Sequence, residues 1–438
     1  MSGIAEILNH WGYTVTGSDL ADSPTLARLN SHGIKSTVGH DLDSLKTSDL
    51  VVYSAAINPN DIEMQEAKNL NIKTMERADF LGEITKMFKN TIGISGTHGK
   101  TTTTSLISVC FVEAGLDPNI QVGADLKEIN GNYRTGNSNY FILEACEYVE
   151  SFLKFRPKTE VVLNIDNDHL DYFKSFDNIK NAFVKYAKLL PNDGLLVLNA
   201  DDKNCLDLKN FTNAKITTYG ISNEHANFVA KNISFDSNGF PSFDVYYKNE
   251  FYDNISLSIR GSHNVLNALA AICVCYNYGI QKDSIKSALK KFTGASRRFE
   301  FKGKLGSVSI FDDYAHHPTE IIATANALNK INFNKSWVIF QPHTYSRTIQ
   351  HLDDFANALL PFDNVILTDI YAAREKNTYG VSSKDLADKL ISLGKHVTYL
   401  PDFDEITKLV KSNVSDNDVV ITLGAGTVTK IGPMILEN

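Results

Sequence analysis

No run of about five or six basic residues occurs in the chain, and its 51 acids outnumber its 43 lysines and arginines, for a formal net charge of −8. Bulk nucleic-acid binding through a basic surface is thereby excluded, while a local basic pocket for a phosphorylated small molecule stays open. No apolar stretch reaches the roughly 18 residues that mark a membrane span, and the opening MSGIAEILNH does not read as a secretory signal. Cysteine is sparse. Cys110, Cys146, Cys205, Cys273 and Cys275 are odd in number and spaced for neither a disulfide framework nor a zinc site. Buried thiols in a reducing compartment are expected, and with them a cytoplasmic location. Internal repeats and low-complexity segments are also lacking.

What is present is ordinary globular composition, 43% hydrophobic and 21% charged over 438 residues, enough for two to four domains each with its own core. Strand and helix patterns alternate throughout, which argues α/β with mostly parallel sheets. Three blocks separate: 1–88, 89–297 and 298–438. The first opens on an apolar-periodic helix (Ile4, Ile7, Leu8, Trp11), followed by strands at Thr14–Gly17 and Leu50–Ser54. The second has strand patterns at Thr91–Ser95, Tyr140–Leu143, Glu160–Ile165, Leu195–Leu198 and Lys215–Tyr219, then antiparallel strands across 226–260 and a long apolar helix from 263. The third repeats the doubly wound pattern at Val308–Asp312, Ser336–Gln341, Asn364–Thr368, His396–Leu400 and Val419–Leu423. Phe292–Arg298 is a hinge candidate.

The sharpest local signal is Gly96-Thr97-His98-Gly99-Lys100-Thr101-Thr102, set between a short apolar strand and an apolar helix. Glycines let backbone N–H groups close around phosphate oxygens, and the helix N-terminus adds its positive dipole end. Lys100 can reach β- and γ-phosphates, and the Thr101 hydroxyl can ligate Mg²⁺. The strict G-x-x-x-x-G-K-[ST] spacing is not met, because Ile94 stands where its first glycine would be, so this is a tighter loop. Glu144 and His169 each follow an apolar strand, where ligands gather in a parallel sheet. That placement puts both near Lys100. Hard Mg²⁺ prefers oxygen, so Glu144 is the natural ligand and His169 the less expected one. The flanking acids Asp166, Asp168 and Asp171 read as solvated loop or cap residues.

Seven segments in order make the pattern specific: GTHGKTTT from Gly96, EACE from Glu144, NIDNDHLD from Asn164, GSHNVLN from Gly261, RRFE from Arg297, DDYAHHPTE from Asp312 and QPHTYSRT from Gln341. Together they span nearly the whole chain, and the sequence resembles the Mur ligase family. His98, with the run Asp313–Pro318, points to its alanine-adding branch.

The resemblance implies a three-domain fold, with Rossmann-like N- and C-terminal domains around a central P-loop ATPase. It implies a UDP-substrate domain at 1–88, an ATP domain at 89–297 and an amino-acid domain at 298–438. The implied reaction uses ATP and Mg²⁺ to join L-alanine to the lactyl carboxylate of UDP-N-acetylmuramate through an acyl phosphate. By motif match, Gly96 to Thr102, Asn264, Asn267, Arg298 and Asp313 would serve ATP. Thr101, Glu144 and His169 would hold the metal. Tyr314, His316, His343 and Arg347 would line the amino-acid and acyl side, with Lys100, His169 and His316 closest to the chemistry. Arg347 suits a carboxylate clamp because a guanidinium binds carboxylate bidentately.

Two departures stand out. Other branches use a carbamylated lysine; Lys185 is a positional candidate, but the apolar face of its helix (Ile179, Phe183, Tyr186, Leu190) leaves it on the polar side, a solvated lysine. Family members also normally begin with an apolar strand and a Gly-rich turn before the first helix. Their absence leads to the expectation that the chain starts at an internal methionine of a longer reading frame, with Ile4, Ile7 and Leu8 poorly covered. Alternatives are another amide ligase of this fold, such as a murein-peptide ligase or folylpolyglutamate synthase, or a P-loop nucleotide-binding protein without ligase activity.

Overall fold

A computed structural model describes residues 1–437, with Asp171 described by its backbone alone. The chain divides into two compact units, Met1–Asn227 with Ala270–Ile285, and Phe228–Leu269 with the segment from Lys286 onward.

In the first unit the opening helix, Ser2–His10, precedes β1 (Thr16–Asp19) and β2 (Lys35–Val38), a parallel pair, and β3 (Leu50–Tyr53) and β4 (Lys73–Glu76), a second parallel pair. The sequence pattern shows only two of these four strands. The missed ones, KSTV and KTME, are short and half polar, so period-2 alternation has too few residues to register. The expected poor cover of the first helix is corrected by the structure. Ile4 and Ile7 are 2% and 1% exposed and share a core with Leu81, Ile84, Phe141 and Leu143, with Leu8 packed at its margin. The helix finds its apolar cover in Leu81 and Ile84 of its own block and in Phe141 and Leu143 of the next, rather than in a strand of its own.

That block contributes β5 (Asn90–Ser95), β6 (Asn119–Leu126), β7 (Gly131–Arg134), β8 (Tyr140–Glu144), β9 (Thr159–Val162), β10 (Leu195–Asn199) and β11 (Lys215–Gly220), ordered β11-β10-β9-β5-β8-β6-β7. All neighbours are parallel except β6 and β7. β5 carries the glycine loop at its carboxyl end and is buried from Thr91 to Ser95, with β8 on one side and β9 on the other. Connections leave it in both directions, the position where doubly wound sheets open a crevice for ligands.

The second unit begins with an antiparallel meander, β12 (Phe228–Phe235), β13 (Pro241–Tyr247) and β14 (Glu250–Ser256). Its remaining strands, β15 (Glu300–Leu305), β16 (Val308–Asp313), β17 (Ser336–Phe340), β18 (Asn364–Leu367), β19 (Val397–Tyr399) and β20 (Val419–Leu423), are ordered β15-β16-β20-β17-β18-β19. Only β15 runs antiparallel to its neighbour. Cores lie on both faces, one around Phe340, Phe355 and Leu386, the other around Ile339, Ile366 and Ile431. Four cysteines are buried as expected, but Cys146 is exposed. No described helix is long and apolar enough to cross a membrane.

Candidate functional site

The loop after β5 is shaped by two glycines and one strand end. Gly96 has φ +132°, a backbone strained for any L side chain, and a Cβ there would crowd Leu163 and Asn164 after β9 at 3.0–3.1 Å. Gly99, at φ +85°, caps the helix Lys100–Glu113 without a side-chain hydrogen bond of its own. The segment after β9 fastens the loop: His98 N donates to Asn164 Oδ1 (2.8 Å), Asn164 Nδ2 to His98 O (3.0 Å), and Asp166 N to Thr97 Oγ1 (2.9 Å). His98 Nε2 meets Asp166 Oδ2 at 3.0 Å, so Asp166 is a loop fastener rather than a solvated acid. Asp168, only 9% exposed, is not solvated either, and its Oδ1 accepts from His169 N at 2.7 Å. The Asp171 side chain lies outside the described residues. Thr101 is buried and Thr102 half-buried at the start of the helix.

Lys100 Nζ donates to Gly96 O (2.5 Å), Thr97 O (3.0 Å) and both Glu147 oxygens (2.9 and 3.1 Å). Burial alone would lower the lysine's pKa, but the charges of Glu147, Cys146 and Glu144 outweigh it and raise the value. Glu147, 2% exposed, is the group sequence reasoning missed. It stands in EACE, but nothing in that run marks which glutamate turns inward. The backbone decides it: Val149 and Glu150 just beyond hold φ of +50° and +55°, a costly conformation for β-branched Val149.

Glu144 ends β8 directly beside β5, and its Oε1 accepts from Gly123 N at 2.5 Å. His169 sits at φ +56°, its Nε2 3.9 Å from Glu147 and 3.7 Å from Asp168, its ring 4.6 Å from Tyr148. The Thr101 hydroxyl and the Glu144 carboxylate are hard oxygen donors fitted to Mg²⁺, while the His169 nitrogen fits less well. Lys185 Nζ pairs with Glu150 at 2.7 Å with 59% of its side chain exposed, a surface ion pair in keeping with a solvated lysine.

In the second unit, Asn264 and Asn267 share a helix face as their spacing requires. Both are buried; Asn267 Nδ2 donates to Asn264 Oδ1 (2.9 Å), and Asn264 Nδ2 to Arg260 O (2.6 Å). Both arginines in RRFE lie over the Tyr314 ring, Arg297 at 5.0 Å and Arg298 at 5.1 Å, and Arg297 is also tied down by Asp312 (3.2 Å) and the Gly424 carbonyl. Asp313 Oδ2 accepts from Thr324 Oγ1 (2.6 Å), and burial pushes its carboxyl up to about 6 despite Thr324 and nearby Arg298.

The remaining groups cluster at the ends of β16 and β17. His316 Nδ1 donates to Tyr314 O (3.0 Å), and its ring centroid is 5.5 Å from that of His343. His343 stacks on Tyr371 (5.8 Å, 20°), and Arg347 Nη1 donates to His343 Nδ1 (3.1 Å). Glu375 accepts from Ser346 N at 2.9 Å, pinning the turn that presents Arg347. Tyr371 and Glu375 were missed because they come from the long connection after β18, which carries no local pattern.

A glycine-rich loop closed by a lysine thus lies in one unit and a guanidinium–imidazole–phenol cluster in the other. Residues 1–89 match the Mur ligase family catalytic domain, 94–275 the Mur ligase middle domain, and 297–426 the Mur ligase glutamate ligase domain. The chain belongs to the Mur ligase family. It has the three-domain Mur ligase fold, Rossmann-like domains flanking a central ATPase domain. It is 48% identical over 438 residues to UDP-N-acetylmuramate–L-alanine ligase of Acetivibrio thermocellus, covering 100% of this chain and 93% of that one. It is also 48% identical to the ligase of that name from Caldanaerobacter subterraneus, covering 100% and 95%. Among solved structures, UDP-N-acetylmuramate-alanine ligase from Thermotoga maritima matches at TM-score 0.85 and 28% identity, covering 100% and 95%. A murein peptide ligase from Psychrobacter arcticus, at TM-score 0.74 and 24% identity over 100% and 95%, shares the fold.

Proposed function

We propose that this Mur ligase joins L-alanine to the lactyl carboxylate of UDP-N-acetylmuramate, converting ATP to ADP and phosphate. The observation that carries the reading is near-half identity along the entire chain to ligases named for that reaction. In the proposed division of labour, 1–88 bind the UDP substrate, 89–297 bind ATP and 298–438 bind the amino acid.

The chemistry follows from the groups present. A lactyl carboxylate oxygen attacks the γ-phosphorus of ATP, the bridging P–O bond breaks, and ADP leaves. Lys100, raised in pKa and so charged throughout the working range, and the loop amides offset the charge on the transferring phosphoryl group. Thr101 and Glu144, with His169 completing the set, are the residues that would hold Mg²⁺, which supplies further charge compensation there. Gly96 to Thr102 with Asn264, Asn267, Arg298 and Asp313 serve the nucleotide.

The neutral amine of alanine then attacks the acyl carbon; the C–O bond to phosphate breaks and the amine gives up a proton. With Nδ1–H engaged by Tyr314 O, a neutral His316 carries its lone pair on Nε2, the atom suited to take that proton. Arg347, aligned by His343, clamps the alanine carboxylate, and Tyr314 and His343 line the site.

Phosphate release with ATP, Mg²⁺ and UDP-N-acetylmuramate should depend on L-alanine and be poorly supported by an alanyl-glutamyl-diaminopimelate peptide. Equal or better stimulation by the peptide would move the assignment to a murein-peptide ligase. Turnover indifferent to acid and amine alike would leave only a nucleotide-hydrolysing protein.

A further inference from the structure

Glu144 is held by a strand that no sequence motif marks. β6 pairs with β8 only as far as Gln121 opposite Leu143; from there to Leu126 its ladder with β7 also shifts register. Gly123, freed from both ladders, turns its N–H to the Glu144 side chain, 2.5 Å from Oε1. Oε2 makes no hydrogen bond among the described residues, so one carboxylate oxygen is committed to an amide and the other is left for a cation.

A side chain at this position would meet the Glu144 carboxylate itself. A Cβ on Gly123 would sit 2.9 Å from Oε2 and 3.0 Å from Oε1, with no other atom group among its nearest contacts. Gly123 is not among the residues with positive φ, and it lies at the surface. Alanine there would therefore strain no backbone and disturb no core; its one consequence is to displace the Glu144 carboxylate.

We propose that Gly123 is a positioning residue for the cation site, fixing Glu144 by a backbone hydrogen bond and by the space its missing side chain leaves. The proposal rests on the reading of Glu144 as a metal ligand. Groups that orient a ligand commonly weaken metal binding by about 10–100-fold when lost.

The test is a double-mutant cycle read by Mn²⁺ affinity, measured by electron paramagnetic resonance in the presence of a non-hydrolysable ATP analogue. The proteins are the unmodified chain, Gly123→Ala, Glu144→Ala and the double variant. Gly123→Ala should weaken Mn²⁺ by about tenfold or more, with an unchanged melting temperature, and should add nothing once Glu144 is alanine. Unchanged Mn²⁺ affinity in Gly123→Ala overturns the proposal, and so does an equal loss in both backgrounds, because the effect would then bypass Glu144. If Glu144→Ala itself leaves Mn²⁺ binding intact, it is the metal-ligand reading of Glu144 that fails. Magnesium titrations of activity should shift to higher concentration in Gly123→Ala while kcat at saturating Mg²⁺ stays near normal; a fall in kcat alone contradicts a positioning role.

Discussion

The two halves of the proposed chemistry are built by different means. The phosphate half is local: six consecutive residues, Gly96 to Thr101, close a loop against one strand end, and a single carboxylate, Glu147, holds its lysine. The amino-acid half is dispersed. Tyr314 and His316 follow β16, His343 and Arg347 follow β17, and Tyr371 and Glu375 come from beyond β18. A local device tolerates little change because each group has one function and no understudy. A dispersed one shares orientation among rings and a guanidinium, so losing the geometry of one member should cost less.

Lys100→Ala should show the largest effect. Loss of one preorganised charge on the transferring phosphoryl group should cut phosphate release by at least ~10²-fold. It also leaves Glu147 buried without its partner, so Lys100→Ala combined with Glu147→Gln in parallel separates lost charge from lost folding. Near-normal turnover in either folded variant would remove Lys100 from the mechanism.

Buried carboxyls sharpen the comparison further. Asp313 in the second unit is lifted to about 6. A raised acid favours the fold when protonated, so its stabilising share is complete below pH ~4 and lost as pH rises through 6. Asp313→Asn should therefore raise the melting temperature at pH 7–8, by the equivalent of ~2–3 kcal/mol, with the gain vanishing near pH 4. A constant difference across that range would contradict the assignment. Glu160, in the middle of β9, has neither oxygen hydrogen-bonded among the described residues, and burial raises its pKa well above the ordinary value. Glu160→Val should stabilise the first unit by ~1–2 kcal/mol, most at alkaline pH; destabilisation in a denaturant titration would show an interaction the geometry does not contain.

Arg347→Lys should have the smallest effect. The charge stays but the fork that meets His343, and in the proposed function the alanine carboxylate, is gone, so the apparent KM for L-alanine should rise about tenfold and that for ATP should barely move. Equal changes in both would mean the arginine does not clamp the amino acid.

The same contrast sets what the sequence discloses. The glycine loop, its strand and its helix were legible because their signals are consecutive. Glu147 was not, because the choice between it and Glu144 is made by left-handed backbone at Val149 and Glu150. β6 and β7 escaped notice, and Gly123 with them, since an edge hairpin of mixed polarity lacks the continuous apolar run of β5 or β9. Tyr371 reaches His343 through a connection whose path only the fold defines. The cover of Ile4 and Ile7 was misjudged for a related reason: their partners Phe141 and Leu143 lie more than a hundred residues away.

The central claim is that a lactyl carboxylate is activated by phosphorylation and captured by alanine. UDP-N-acetylmuramate carrying ¹⁸O in its lactyl carboxylate, incubated with ATP, Mg²⁺, L-alanine and this protein, tests it directly by mass spectrometry. The account predicts UDP-N-acetylmuramoyl-L-alanine together with inorganic phosphate that has gained one ¹⁸O per molecule of product. Phosphate without the label, or released with no amide formed, would contradict it.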